Sequence, residues 1–204
     1  MRALVIGGSG FIGTSLVNRL VNSGADVTVI RSGRAGNHYG EGISAIVADR
    51  SNDIDMKQKL NQLGTFDVVY DMLAFRIRDI KGLIGAFGDI TDRYVFPSSA
   101  AVYEGHSGFV SEEIFDSLSL KPDEIESEAS YSNGKKHVEA FLFQTADFHV
   151  ACARFPNILG HGDSTGRFQY HLKKILSGLP FFPAFWRAIP AAIPEVPAPI
   201  MTAS

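Results

Sequence analysis

Apolar positions along the chain fall into short runs separated by polar, glycine-bearing turns, and the period within the runs changes from one to the next. Ala3-Leu4-Val5-Ile6 is continuous and partly β-branched, which suits a strand buried on both faces. It runs directly into Gly7-Gly8-Ser9-Gly10-Phe11-Ile12-Gly13. From there Phe11, Ile12, Leu16, Leu20 and Val21 recur at near-helical spacing, with Gly24 as a stop. Asp26–Ile30 reads as a second strand ending in the polar turn Arg31-Ser32-Gly33-Arg34, and Ser44–Ala48 as a third, closed by Asp49-Arg50. A helical pattern follows from Asp53, a candidate N-cap, to Leu63. Strand 4 is expected over Phe66–Asp71 and a helix over Ile77–Phe87. Strand 5 covers Arg93–Phe96 and leads into Pro97-Ser98-Ser99. A long helix fits Tyr131–Gln144, and His149–Ala153 makes strand 6. Strands alternating with helices predict an α/β fold of Rossmann type: a doubly wound parallel sheet with helices on both faces. No repeat of solenoid period interrupts this order.

Composition narrows the partners. The 204 residues are 45% hydrophobic and 20% charged with a net charge of −3, so no basic excess points to nucleic acid or an anionic membrane. No run approaches the roughly 18 apolar residues of a membrane span, and the first apolar run breaks at Gly7, unlike a secretion signal. Cys152 is the only cysteine, which excludes an internal disulfide and a cysteine zinc cluster; a cytoplasmic protein is expected. The six histidines show no metal-ligand spacing, and no metal is expected. The segment from Glu104 to Ser130 is long for a loop and rich in carboxylates, which read as a solvated face in the absence of a recognisable ligand loop.

Three stretches carry candidate chemistry. Gly7-x-x-Gly10-x-x-Gly13 sits between a strand and a helix, where glycines allow a tight turn and let a pyrophosphate rest on helix N-terminal amides. A glycine cluster elsewhere would be only a structural turn. Tyr131 and Lys135 lie one helical turn apart on a single face. An ammonium beside a phenol favours phenolate, so such a pair can move protons near neutrality. Ser98-Ser99 ends strand 5, at the sheet edge where ligands sit in open parallel sheets; a capping serine is the plainer alternative.

Taken together these stretches resemble the extended branch of the short-chain dehydrogenase/reductase superfamily, the NAD(P)-dependent epimerase/dehydratase family. The resemblance runs from residue 1 to about 178, in the family's motif order. It implies a cofactor loop at Gly7, Gly10, Phe11, Ile12 and Gly13, and an acidic residue meeting adenine at Asp49, with Arg50 beside it. Further cofactor contacts are implied at Leu73 and Ala74 after strand 4, and at Phe155 and Asn157 in the segment after strand 6. Ser98-Ser99-Ala100-Ala101-Val102-Tyr103 looks like the family's serine motif, which implies Ser99, Tyr131 and Lys135 as catalytic residues, with Tyr131 and Lys135 also touching the cofactor.

Departures from the family pattern adjust the expectation. Arg31 stands where NAD-preferring relatives carry an acid, and with Arg34 it could clasp a 2′-phosphate, which favours NADP with NAD as the alternative. Ala100-Ala101 replaces the acid pair of sugar dehydratases and disfavours dehydration. The family continues for about another hundred residues as a substrate lobe, largely missing here. Residues 180–204 instead form a proline-rich apolar tail, expected to be poorly ordered beyond a dinucleotide-binding domain of residues 1–179. That ending suggests a truncated or frame-shifted coding sequence, a short genuine tail being the alternative. The function implied is an epimerase/reductase-type oxidoreductase acting by hydride transfer on a small molecule such as a nucleotide-sugar, in a chain that could form a homodimer. The competing expectations are a non-catalytic nucleotide-binding or RNA-associated relative and an inactive fragment.

Overall fold

The computed structural model describes residues 1–33, 39, 42–121, 130–160, 162–163 and 166–178. Arg34 and the whole tail from residue 179, with the expectations attached to them, lie outside these residues.

β1 (Arg2–Ile6) pairs in parallel with both β2 (Asp26–Arg31) and β4 (Val68–Asp71). β3 (Ser44–Val47) flanks β2, while β5 (Arg93–Ser99) and β6 (His149–Phe155) extend the other side. The six-stranded order is β3-β2-β1-β4-β5-β6, with every pair parallel. Strand order therefore reverses between β1 and β4, and a crevice opens there at the carboxyl ends. The expected doubly wound sheet is the sheet observed.

Because side chains alternate along a strand, β1 feeds two cores. Ala3 and Val5 join Val17 and Leu20 of α1 (Phe11–Asn22) with Val27 and Val29. Leu4 and Ile6 pack on the opposite face with Met56 and Leu60 of α2 (Asp53–Leu60), Phe87 of α3 (Ile84–Gly88), and Val138 and Leu142 of α4 (Tyr131–Thr145). All four β1 core residues are completely buried. α1 ends where its pattern stops, with Gly24 taking φ +81°, a conformation only glycine adopts without strain.

Several element boundaries differ from expectation, β4 for instance starting at Val68 rather than Phe66. The N-cap of α2 is Asn52, whose side chain accepts from the Ile54 and Asp55 amides, and the helix ends at Leu60 rather than Leu63. The run Ile77–Phe87 is no single helix; it splits into a 3-10 turn (Ile77–Asp79) and α3. Gly82 lies between them, against the Asp53 carboxylate of α2. β5 continues through Pro97 to Ser99 and β6 to Phe155, in register with each other. α5 (Arg167–Leu176) has no counterpart among the expected elements. Its Phe168, Leu172 and Ile175 are exposed.

Candidate active site

The glycine turn stands at the crevice, and its three motif glycines have three distinct reasons to be glycine. Gly7 has φ +83°, and a Cβ there would strike Leu73 Cγ at 2.5 Å. At Gly13 a Cβ would lie 2.5 Å from the Gly7 carbonyl oxygen, so the first turn of α1 can approach the loop only without a side chain. Gly10 is different. Among the described residues, nothing beyond its own chain neighbours and helix lies within 4 Å of where its Cβ would be, so its surface faces open space. Gly10 is also the N-cap of α1, with no side-chain cap and no acidic residue in the first turn. Those first amides, from Phe11 to Gly13, thus present partial positive charge to a ligand. Phe11 packs beside Gly160 and Gly162 of the segment after β6. Gly13→Ala should lower stability by roughly 1–3 kcal/mol through overpacking against backbone. An unchanged thermal midpoint would show that the loop can retreat.

Around this turn the expected cofactor residues fall into two groups. Arg31 ends β2, half-buried, and the Tyr39 hydroxyl reaches over Gly8, 3.0 Å from its Cβ position. Burial raises the Tyr39 phenol, against the lowering field of Arg31 and the neighbouring Ser9. Phe155 ends β6 and Asn157 follows it, both exposed. Asp49 and Arg50, by contrast, are engaged within the protein. The Asp49 carboxylate accepts from the Ser51 amide (2.9 Å) and hydroxyl (2.7 Å). Arg50 turns inward, and its Nη2 donates to Asp71 Oδ2 at 2.5 Å beneath the crevice.

Lys135 and Tyr131 share one face of α4, whose N-cap Ser130 accepts from the Asn133 amide. Tyr131 is 58% exposed at the start of the helix; Lys135, one turn on, is 1% exposed. The Lys135 Nζ donates to the Ala74 carbonyl (2.9 Å) after β4 and the Pro97 carbonyl (2.6 Å) of β5. It also lies 4.4 Å from the Phe75 ring centre, a cation–π contact. Burial pulls this ammonium down to about 8, while Asp71, Asp79 and Glu139 hold it up. The approach depends on Gly134, where a Cβ would meet the Phe75 carbonyl at 3.0 Å.

The two serines of β5 separate, as the strand period requires. Ser98 is buried and donates to Glu139 Oε1 of α4. Ser99 is half-buried, and its Oγ accepts from the Ala101 amide at 3.1 Å, capping a 3-10 turn (Ala100–Tyr103). That leaves its proton free to point elsewhere. Ser132, next to Tyr131, donates to the Ala101 carbonyl at 2.6 Å and so ties the start of α4 to the turn that carries Ser99.

Sequence patterns had not singled out Asp71, Tyr94, Gly134 or Glu139. Asp71 is fully buried, and Tyr94 donates to its Oδ2 at 2.6 Å. Burial, with the Asp71 carboxylate beside it, pushes the Tyr94 phenol well above its usual range. Glu139 accepts from Arg154, whose Nη2 approaches to 2.7 Å; burial first, then Glu139, pushes the Cys152 thiol up to about 12. Among the described residues no group of histidine, cysteine and carboxylate side chains could hold a metal ion, and no helix is long and apolar enough to cross a membrane.

Residues 3–81 match the NAD dependent epimerase/dehydratase family. No curated protein sequence matches the chain. Among solved structures, it is similar to UDP-glucuronic acid 4-epimerase from Bacillus cereus in complex with NAD, at 22% identity and TM-score 0.64, over 88% of this chain and 64% of that one. UDP-glucose 4-epimerase from Thermus thermophilus, also in complex with NAD, gives 22% identity and TM-score 0.62 over the same shares. The Bordetella bronchiseptica enzyme WbmG in complex with NAD gives 21% identity and TM-score 0.61, over 89% of this chain and 61% of that one. The chain thus spans less than two thirds of the length of these structures. Residues 3–81 are thus similar to the NAD dependent epimerase/dehydratase family, and the chain shares the Rossmann-like fold of these solved structures.

Proposed function

We propose that this chain is an NAD(P)-dependent oxidoreductase of the epimerase/reductase type, acting on a nucleotide-sugar or a similar hydroxyl- or carbonyl-bearing substrate. The observation that carries the reading is the open surface at Gly10 on an uncapped helix N-terminus, on the same sheet edge as Ser99 and Lys135. That cradle fits a pyrophosphate: it offers amides and space where any side chain would intrude. Gly7, Gly10, Phe11, Ile12 and Gly13 would hold the pyrophosphate, Asp49 the adenine side, and Leu73, Ala74, Phe155 and Asn157 the nicotinamide side. A bound nicotinamide supplies a hydride acceptor that can also return the hydride.

The protein's own groups then divide the proton work. Tyr131, exposed at the start of α4, takes the proton of the substrate hydroxyl. Ser99, its oxygen already occupied by the Ala101 amide, donates to the substrate oxygen. Lys135 supplies the positive charge that favours phenolate one turn away. Arg31 at the end of β2, beside Tyr39, favours a 2′-phosphate and hence NADP.

Titrating NADPH and NADH against intrinsic and nicotinamide fluorescence tests the reading. Saturable binding is expected, with NADPH the tighter. Absence of saturable binding of either up to millimolar concentration would sink it. Tighter binding of NADH would remove only the role of Arg31. Binding without turnover across a panel of nucleotide-sugars would favour the non-catalytic relative.

A further inference from the structure

Asp71 is a carboxylate with no exposed surface, and three donors converge on it. The Leu73 amide reaches Oδ1 at 3.0 Å; Tyr94 and Arg50 reach Oδ2 at 2.6 Å and 2.5 Å. Burying an ion pair is costly, and apolar residues of similar volume stabilise a fold at least as well. A fold alone therefore does not call for this pair. What the two oxygens do differs. Oδ1 fixes the backbone just after β4, where the Phe75 amide closes a tight turn on the Leu73 carbonyl at 3.0 Å. The residue between them, Ala74, offers its carbonyl to Lys135 Nζ. Oδ2 is held from below by Arg50 and Tyr94, with Phe87 packed against both.

We propose that Asp71 is a positioning residue for Lys135. It shapes the turn that receives the ammonium and supplies its counter-charge, while Arg50 and Tyr94 hold the carboxylate and moderate it. The other charged groups facing Lys135 have separate duties. Asp79 of the 3-10 turn accepts from the Phe75 amide (3.0 Å) and the Arg76 amide (2.8 Å). Glu139 of α4 is taken up by Arg154 and Ser98, and β5 presents the Pro97 carbonyl and, at 6.0 Å, the Phe96 ring. Arg76 lies beside Gly134 on the approach. Asp71 hydrogen-bonds both the acceptor turn, at the Leu73 amide, and Arg50, whereas Asp79 holds the turn at the Phe75 amide and meets Arg50 only through its field. The inference rests on the role given to Lys135 above.

That arrangement makes a test with opposite signs. The Nζ signal of Lys135, followed by 15N NMR and assigned by its loss in Lys135→Arg, should titrate near 8 in the wild-type chain. Asp71→Asn keeps an acceptor for Leu73 and removes the counter-charge; its midpoint should fall by about 1–3 pH units. Arg50→Gln keeps a donor for Asp71 and removes the opposing charge; its midpoint should rise. A general loosening of the structure would move both variants the same way, and that result, or an unmoved midpoint, overturns the proposal. Should Asp71→Asn fail to fold, Arg50→Gln decides alone: a rise supports the proposal, and no change or a fall overturns it. Dinucleotide titration of the wild type is scored separately. Lost binding with the two shifts intact would remove the cofactor reading and leave the positioning role standing.

Discussion

Replacing Tyr131 by phenylalanine should lower turnover by roughly 100- to 10,000-fold while leaving dinucleotide affinity nearly unchanged, the range general acid–base groups supply. The experiment is clean because the hydroxyl makes no hydrogen bond among the described residues. Tyr131 is 58% exposed, and α4 is started by Ser130, not by Tyr131. Ser132 holds the Ala101 turn with its own hydroxyl, so the geometry around Ser99 survives the substitution. Ser99→Ala is less clean, because it also strips the cap from the Ala101 amide. Loss of kcat with KM and thermal midpoint near wild type assigns Tyr131 the proton. Wild-type turnover on an established substrate would take it out of the mechanism.

What could be read in the sequence was local. β1, the glycine turn and α1 are contiguous, and each is dictated by nearest-neighbour chemistry: an apolar run, three glycines, a helical period and a glycine stop. Tyr131 and Lys135 are equally local, four residues apart on one helix. Boundaries were less legible where two good candidates adjoin. Asn52 and Asp53 are both cap formers, and only the observed bonds to Ile54 and Asp55 choose between them. The helix expected over Ile77–Phe87 breaks between Asp79 and Ile84, where Gly82 lies against the Asp53 carboxylate of α2, a neighbour that the local sequence does not reveal.

The buried ionic groups were not legible at all. Arg50, Asp71 and Tyr94 come from three different segments, and Glu139 and Arg154 from a helix and the strand after it. No period or motif links them; they meet because β4, β5 and β6 are neighbours in the sheet and the segment after β3 turns Arg50 in toward Asp71. Arg50 shows the consequence. Its position beside Asp49 suggested a cofactor contact, yet its guanidinium points into the ion pair with Asp71. Strand alternation separates Ser98 from Ser99, but which of the two faces α4 depends on the register of β5 with β6.

Arg154→Ala should cost roughly 3–5 kcal/mol, a fall of about 6–20 °C in thermal midpoint. Its guanidinium bonds Glu139 through Nε and Nη2, the Tyr103 hydroxyl and Glu112 carbonyl through Nη1 (both 2.9 Å), and the Phe115 carbonyl through Nη2 (3.1 Å). It is also stacked between the Tyr103 and Phe115 rings, each 5.2 Å away. One side chain therefore pins the segment after β5 to α4 and β6. The cost should be asymmetric. Removing Arg154 leaves the fully buried Glu139 carboxylate with only the Ser98 hydroxyl and the weak Cys152 thiol as donors among the described residues. Glu139→Gln instead leaves Arg154, whose side chain is 15% exposed, with its three other acceptors, so its loss should be clearly smaller. Joining Arg154→Met to Glu139→Met removes both charges and should recover most of the stability, since a buried pair replaced whole by apolar volume is often neutral. Limited proteolysis supplies the second readout: cleavage between Glu104 and Leu120 should accelerate in Arg154→Ala and, because the carbonyl anchors are lost, remain fast in the double variant even as its midpoint recovers. A double variant as unstable as Arg154→Ala would show that the pair contributes net stability rather than loop anchorage.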